Sequence, residues 1–171
     1  MLFAALFREN LDSLARELVD RLYADRRTDH ARALSFRELV AHLPDLLDEL
    51  AYLLDSRAPY AETIEAAKRL RPFAQARFQQ GALLDEVARE LMLLRGALND
   101  FLWREAPGAG DAGGRELREA LRRSNDFLDE LIAQTILVYA SSLRPVVETR
   151  EPVWPPPRMR RRGGAGRKGE P

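Results

Sequence analysis

A chain of 171 residues, 46% apolar and 32% charged, holds enough material for one domain with a real core but not for two of ordinary size. It has no cysteine, which excludes disulfides, thiolate metal sites and cysteine nucleophiles. The 27 basic and 27 acidic residues cancel, yet from Pro145 onward seven Arg or Lys face three Glu, so a basic tail follows an acidic body that is poorly charged for nucleic-acid binding.

Apolar residues at Phe3, Phe7, Leu11, Leu14, Leu18 and Leu22 predict a first amphipathic helix over residues 2–23. Its opening MLFAALF lacks a basic leader and is broken by Arg8 and Glu9, unlike a secretory signal. No apolar run in the chain approaches the ~18 residues of a membrane span, and the expected location is cytoplasmic. The polar stretch DRRTDHARAL then interrupts the periodicity, and Ser35 with Glu38 three positions on reads as a capping box opening a second helix. Phe36, Leu39, Leu43, Leu46, Leu50 and Leu53 continue it, with a kink or fresh start expected near Leu43 because Pro44 lacks an N–H. A loop over residues 55–59 leads to a helix over residues 61–80, in which Pro72 suggests either one bent helix or two meeting at Arg71. Gly81 stands where a helix C-terminus uses a residue free to take positive φ, or where two helices pack closely.

The stretch over residues 77–103 has the strongest periodicity, with Leu83, Val87, Leu91, Leu94, Leu98 and Phe101 on one face and Leu84, Ala88 and Met92 beside them, as in a central buried helix. Small residues make residues 106–114 a flexible loop. The last helix, over residues 115–143, carries the near-heptad row Leu117, Leu121, Ser124, Leu128, Leu131, Thr135 and Val138. That row is read first as a core helix laid on the central one, and second as a helix that also pairs with its own copy in a dimer, the two being compatible on different faces. Residues 145–171, rich in Pro, Arg and Gly, cannot bury enough apolar surface to order themselves and are expected to be disordered. An interaction of PPPRMRRR with an aromatic groove, anionic lipid or nucleic acid is the less favoured reading of that tail.

Candidate chemistry is sparse. His30 falls in a polar loop and is expected to be exposed; His42 follows Glu38 by four, a start to a metal site for which no further ligand is visible. No phosphate loop, nucleophile elbow or zinc spacing occurs. Glu90 and Arg95 are singled out as charges in the central helix that could be paired there, although a solvated surface is the favoured reading of the charged residues.

Arg77, Gln80, Gly81, Leu83, Val87, Glu90, Leu94 and Arg95 resemble the pattern R-x-x-Q-G-x-x-x-x-E-hydrophobic-x-x-E-x-x-x-L-R of the RsbR/RsbRD N-terminal domain family of RsbT co-antagonists. LSFRELVAHLPDLLDEL, from Leu34 to Leu50, is similar to the family's L-S-x-x-E-L-x-x-H-x-P-x-L-L segment, and Asp126, Leu128, Asp129, Leu131 and Tyr139 are similar to its last helix. The resemblance implies an all-α, globin-like bundle of about five to seven helices that binds no haem and needs no cofactor. It implies a domain over residues 1–144, with structural or sensory positions at Arg77, Gln80, Gly81, Glu90, Leu94 and Arg95. Phe73 departs from the family, many of whose members have His at that place.

These readings lead to a non-enzymatic input domain of a stressosome or two-component pathway. It would form a homodimer, or a hetero-oligomer with a full-length RsbR-like or histidine-kinase relative, since no output domain follows the last helix. Leu121, Leu128, Leu131 and Val138 are the candidates for its dimer or output helix. The alternative is a small-ligand binder with its pocket between the central and last helices.

Overall fold

The computed structural model describes residues 2–105 and 111–142, without the side chains of residues 111–113. Seven α-helices and one 3-10 turn make up the described residues, with no strand, so the expected all-α class and helix count are borne out. The disorder assigned to residues 145–171 lies outside the described residues.

The first helix, α1 (Leu2–Ala24), buries Phe7, Leu14, Leu18 and Leu22, the face its periodicity marks out. Its first turn is anchored from a distance: the backbone N–H groups of Phe3 and Ala4 donate to the Asp55 carboxylate at 3.0 and 3.1 Å. This supplies acceptors for donors that a helix N-terminus leaves without partners. The chain then turns at Thr28, whose buried hydroxyl donates to the Leu22 carbonyl at 2.6 Å, and enters the 3-10 turn Asp29–Ala33.

Both prolines act by ending one helix and starting another. The Ser35–Glu38 capping box is present and opens the five-residue α2 (Phe36–Val40). Pro44 then sits in the first turn of α3 (Leu43–Ser56), where a missing N–H removes no helical bond. Pro72 does the same at the start of α5 (Arg71–Gln79), separating it from α4 (Tyr60–Arg69) at Leu70.

Arg77 to Arg95 is therefore not one helix. Gln80 ends α5 and Gly81 follows at φ 81°; the N–H of Gly81 donates to the Phe78 carbonyl and that of Ala82 to Arg77. This is a Schellman closure, and it requires the left-handed conformation that glycine adopts at least cost. The central helix α6 (Leu84–Glu105) begins beyond it, its entry capped by Glu86, which accepts from the Leu83 N–H at 2.8 Å. Leu83 itself is exposed, as is Met92, so the apolar stripe expected from Leu83 starts instead at Val87.

The longest helix, α7 (Asp111–Ser142), starts four residues earlier than the composition of its Gly-rich opening suggested; residues 106–110 of the expected loop lie outside the described residues. It packs along α6 and across α4 and α5, while α1 lies against α3 and α6. Its near-heptad row points inward: Ser124 and Leu128 are fully buried, with Leu131, Thr135 and Val138 nearly so. Leu128, Leu131 and Val138 are thus core residues of the protomer and Leu121 is packed on that core, as the core-helix reading of this row expects. The row left outside contains Ile136 and Leu137.

Candidate functional site

Arg77 is the largest fully buried side chain described, at 0% exposure. A guanidinium has five N–H donors and cannot shed its charge, so burying it requires a full set of acceptors. The fold supplies them. Nε and Nη2 grip the Glu90 carboxylate at 2.9 and 2.8 Å, Nη2 also donates to the Leu39 carbonyl at 2.8 Å, and Nη1 donates to the Glu38 carbonyl at 3.2 Å and to Gln80 Oε1 at 2.9 Å. One face of the group lies over the Phe73 ring, 5.2 Å from its centroid. Arg77 on α5 thereby closes the C-terminus of α2, the end of its own helix and the middle of α6.

Glu90 has a second partner that is not evident from the sequence. His30, expected in solvent, has a side chain only 5% exposed, with Nε2 3.0 Å from Glu90 Oε2. A carboxylate acceptor there requires the proton on Nε2. The 3-10 turn carries His30 inward, and the Glu86 carboxylate accepts from the His30 backbone N–H at 3.0 Å. His30 Nδ1 has no hydrogen-bond partner and lies 3.7 Å from Glu86 Oε1. Burial by itself pushes the Glu90 carboxyl up, but hydrogen bonds from His30 and Arg77, with the charge of Arg77, hold it below its ordinary value. Glu86 is likewise held low: burial raises it, and the N–H groups of Leu83 and His30 outweigh that.

The remaining motif residues divide by face. Leu94 lies in the core one turn beyond Glu90. Arg95 lies on the side of α6 that meets α7 and pairs with Asp129, and one turn on Asn99 donates to Asn125 at 3.3 Å. Tyr139, on α7, reaches the α5–α6 junction: its hydroxyl donates to the Ala82 carbonyl at 2.9 Å and its ring stands edge-on to Phe78, with centroids 5.2 Å apart. Burial, with the nearby Glu90 charge, pushes its hydroxyl up to about 12. His42 heads α3 edge-on to Phe73, and burial followed by the charge of Arg77 lowers its proton affinity. Among the described residues no group of three His, Cys, Asp or Glu is placed to hold a metal.

The structure thus joins Arg77, Gln80 and Glu90 in one bracket, with Gly81 making the turn between them. It puts Leu94 in the core and Arg95 in a separate ion pair. His30 and Glu86 belong to the bracket although sequence reasoning did not select them. The His30–Glu90 contact spans 60 positions, and no periodicity records it. A 570 Å³ groove borders α7, and α1 and α3 complete it rather than α6.

These features define an all-α domain organised around a buried ion-pair bracket in which every Arg77 donor is engaged. The chain belongs to the family described as the RsbT co-antagonist protein rsbRD N-terminal domain, whose model matches residues 12–152. Comparison with curated proteins and with solved structures returned no match. No helix among the described residues is long and apolar enough to cross a membrane.

Proposed function

We propose that the chain is a non-enzymatic regulatory input domain of a stressosome-type or two-component pathway, working in the cytoplasm through contacts with a second copy or with an RsbR-like or histidine-kinase relative. The observation that carries this reading is the family match together with the state of its motif residues. Arg77 has every donor engaged within the protein, so the signature serves to lock α2, α5 and α6 rather than to present a reactive group. A locked centre leaves the long α7 as the element through which a contact at one end is felt at the other. A partner favouring one packing of α7 by tenfold shifts that equilibrium by about 1.4 kcal/mol.

The expected contact surface is the outer row of α6 and α7. The Arg95–Asp129 and Asn99–Asn125 contacts set an antiparallel register in which the exposed Met92 falls opposite Ile132, one turn before the exposed Ile136. Ile136→Glu is therefore expected to weaken assembly while leaving thermal stability within about 0.5 kcal/mol of the parent, as surface changes do. Light scattering and co-purification with co-expressed RsbR-like and histidine-kinase relatives test this. A chain that stays monomeric at high concentration and captures neither class of relative would overturn the reading.

A further inference from the structure

The 570 Å³ groove between the start of α1, the end of α3 and the first half of α7 falls in the size range of small-molecule sites. Leu2, Phe3, Leu54 and Leu117 give it an apolar lining, and five arginines against three carboxylates give it a basic one. The carboxylates are already engaged. Asp55 accepts from the first N–H groups of α1, Glu119 is held by Arg122 and Arg123, and Glu116 lies 3.8 Å from Arg57. These contacts account for Arg57, Arg122 and Arg123 as well and, among the described residues, leave Arg115 and Arg118 as the cationic surplus on the same wall as Leu117. Hydrogen bonds from Arg122 and Arg123 hold the Glu119 carboxyl down at about 2, so its charge is directed to those two arginines.

An apolar trough with unneutralised guanidinium groups at its edge is complementary to a molecule with an apolar chain and an anionic head. We propose that this groove is a binding site for a single-chain anionic amphiphile, with the chain on Leu2, Phe3, Leu54 and Leu117 and the carboxylate head at Arg115 and Arg118. Occupancy would tie the start of α7 to α1 and α3, at the opposite end of α7 from Tyr139. The proposal goes beyond the regulatory reading and does not depend on it, since binding is measured directly whether or not any relative is captured.

The test uses the full chain and calorimetry with decanoate below its micellar concentration, alongside decyltrimethylammonium and acetate. Decanoate is expected to bind with one equivalent saturating, and the cationic analogue and acetate to bind at least about tenfold more weakly, a difference of about 1.4 kcal/mol. Arg115→Ala with Arg118→Ala should weaken decanoate about tenfold or more, Leu117→Glu should do likewise, and Arg32→Ala on another face should change nothing. Because Arg115 and Arg118 are exposed, their removal leaves the fold intact, which circular dichroism checks. Absence of decanoate binding, equal binding of the cationic analogue, binding unchanged by the double variant, or binding only to anionic phospholipid vesicles would each overturn the proposal.

Discussion

An arginine without solvent contact contributes modestly while its partners are present and costs heavily once one is removed. Arg77→Ala would leave Glu90 charged, buried and held by His30 alone, and is expected to destabilise the protein by about 3–5 kcal/mol in chemical denaturation. Replacing both groups with apolar residues removes the stranded charge. Arg77→Met with Glu90→Leu should therefore cost less than the sum of the two single changes, by roughly 0.5–3 kcal/mol, although the Glu38 and Leu39 carbonyls still lose their donor. The same bracket sets an acid limb. Glu90 binds its proton more weakly folded than unfolded, so as pH falls the unfolded chain takes up the proton first. Its stabilisation is complete above the ordinary carboxylate value of 4.5 and is lost as pH drops through the lower folded value. Glu90→Gln should flatten that limb in a plot of Tm against pH, and an unchanged slope would show that other carboxylates govern it.

At the scale of elements, the domain depends on short helices whose ends are closed by specific groups. The five-residue α2 is too short to stand alone; its start is held by the Ser35–Glu38 box and its end by Arg77. Ser35→Ala should cost about 1 kcal/mol. Gly81 carries a different kind of constraint. A methyl group there would meet nothing within 4 Å, so the whole cost of Gly81→Ala is backbone conformation at φ +81°. That cost should be about 1–2 kcal/mol, with Gly81→Asn less damaging, as thermal unfolding of the two variants would show. Helix starts and stops were legible in the sequence because Pro44, Pro72, Gly81 and the Ser35–Glu38 pair each act over a few neighbouring residues. The entry to α6 was less so: Leu83 continues the apolar rhythm, yet Gly81 ends α5 and leaves Leu83 outside the core.

For the molecule as a whole, the assignment of faces decides what α7 can do. Its regular row of Leu128, Leu131 and Val138 fills the centre of the protomer, where Leu128→Ala should cost about 2–5 kcal/mol by denaturant titration. Ile136 and Leu137, which do not fit that row, remain available to a partner. Periodicity shows that a helix has an apolar face but not whether that face meets its own chain or another copy, because both environments exclude water equally well. The amino-acid sequence by itself determined the all-α class, the proline breaks and the motif that marks the family, since these rest on local backbone chemistry and residue spacing. Only the tertiary structure decided that His30 turns inward onto Glu90, that Arg77 is buried rather than solvated, and that the α7 row is core. Each depends on charges and surfaces brought together across tens of residues, where desolvation forces a pairing that sequence spacing does not encode.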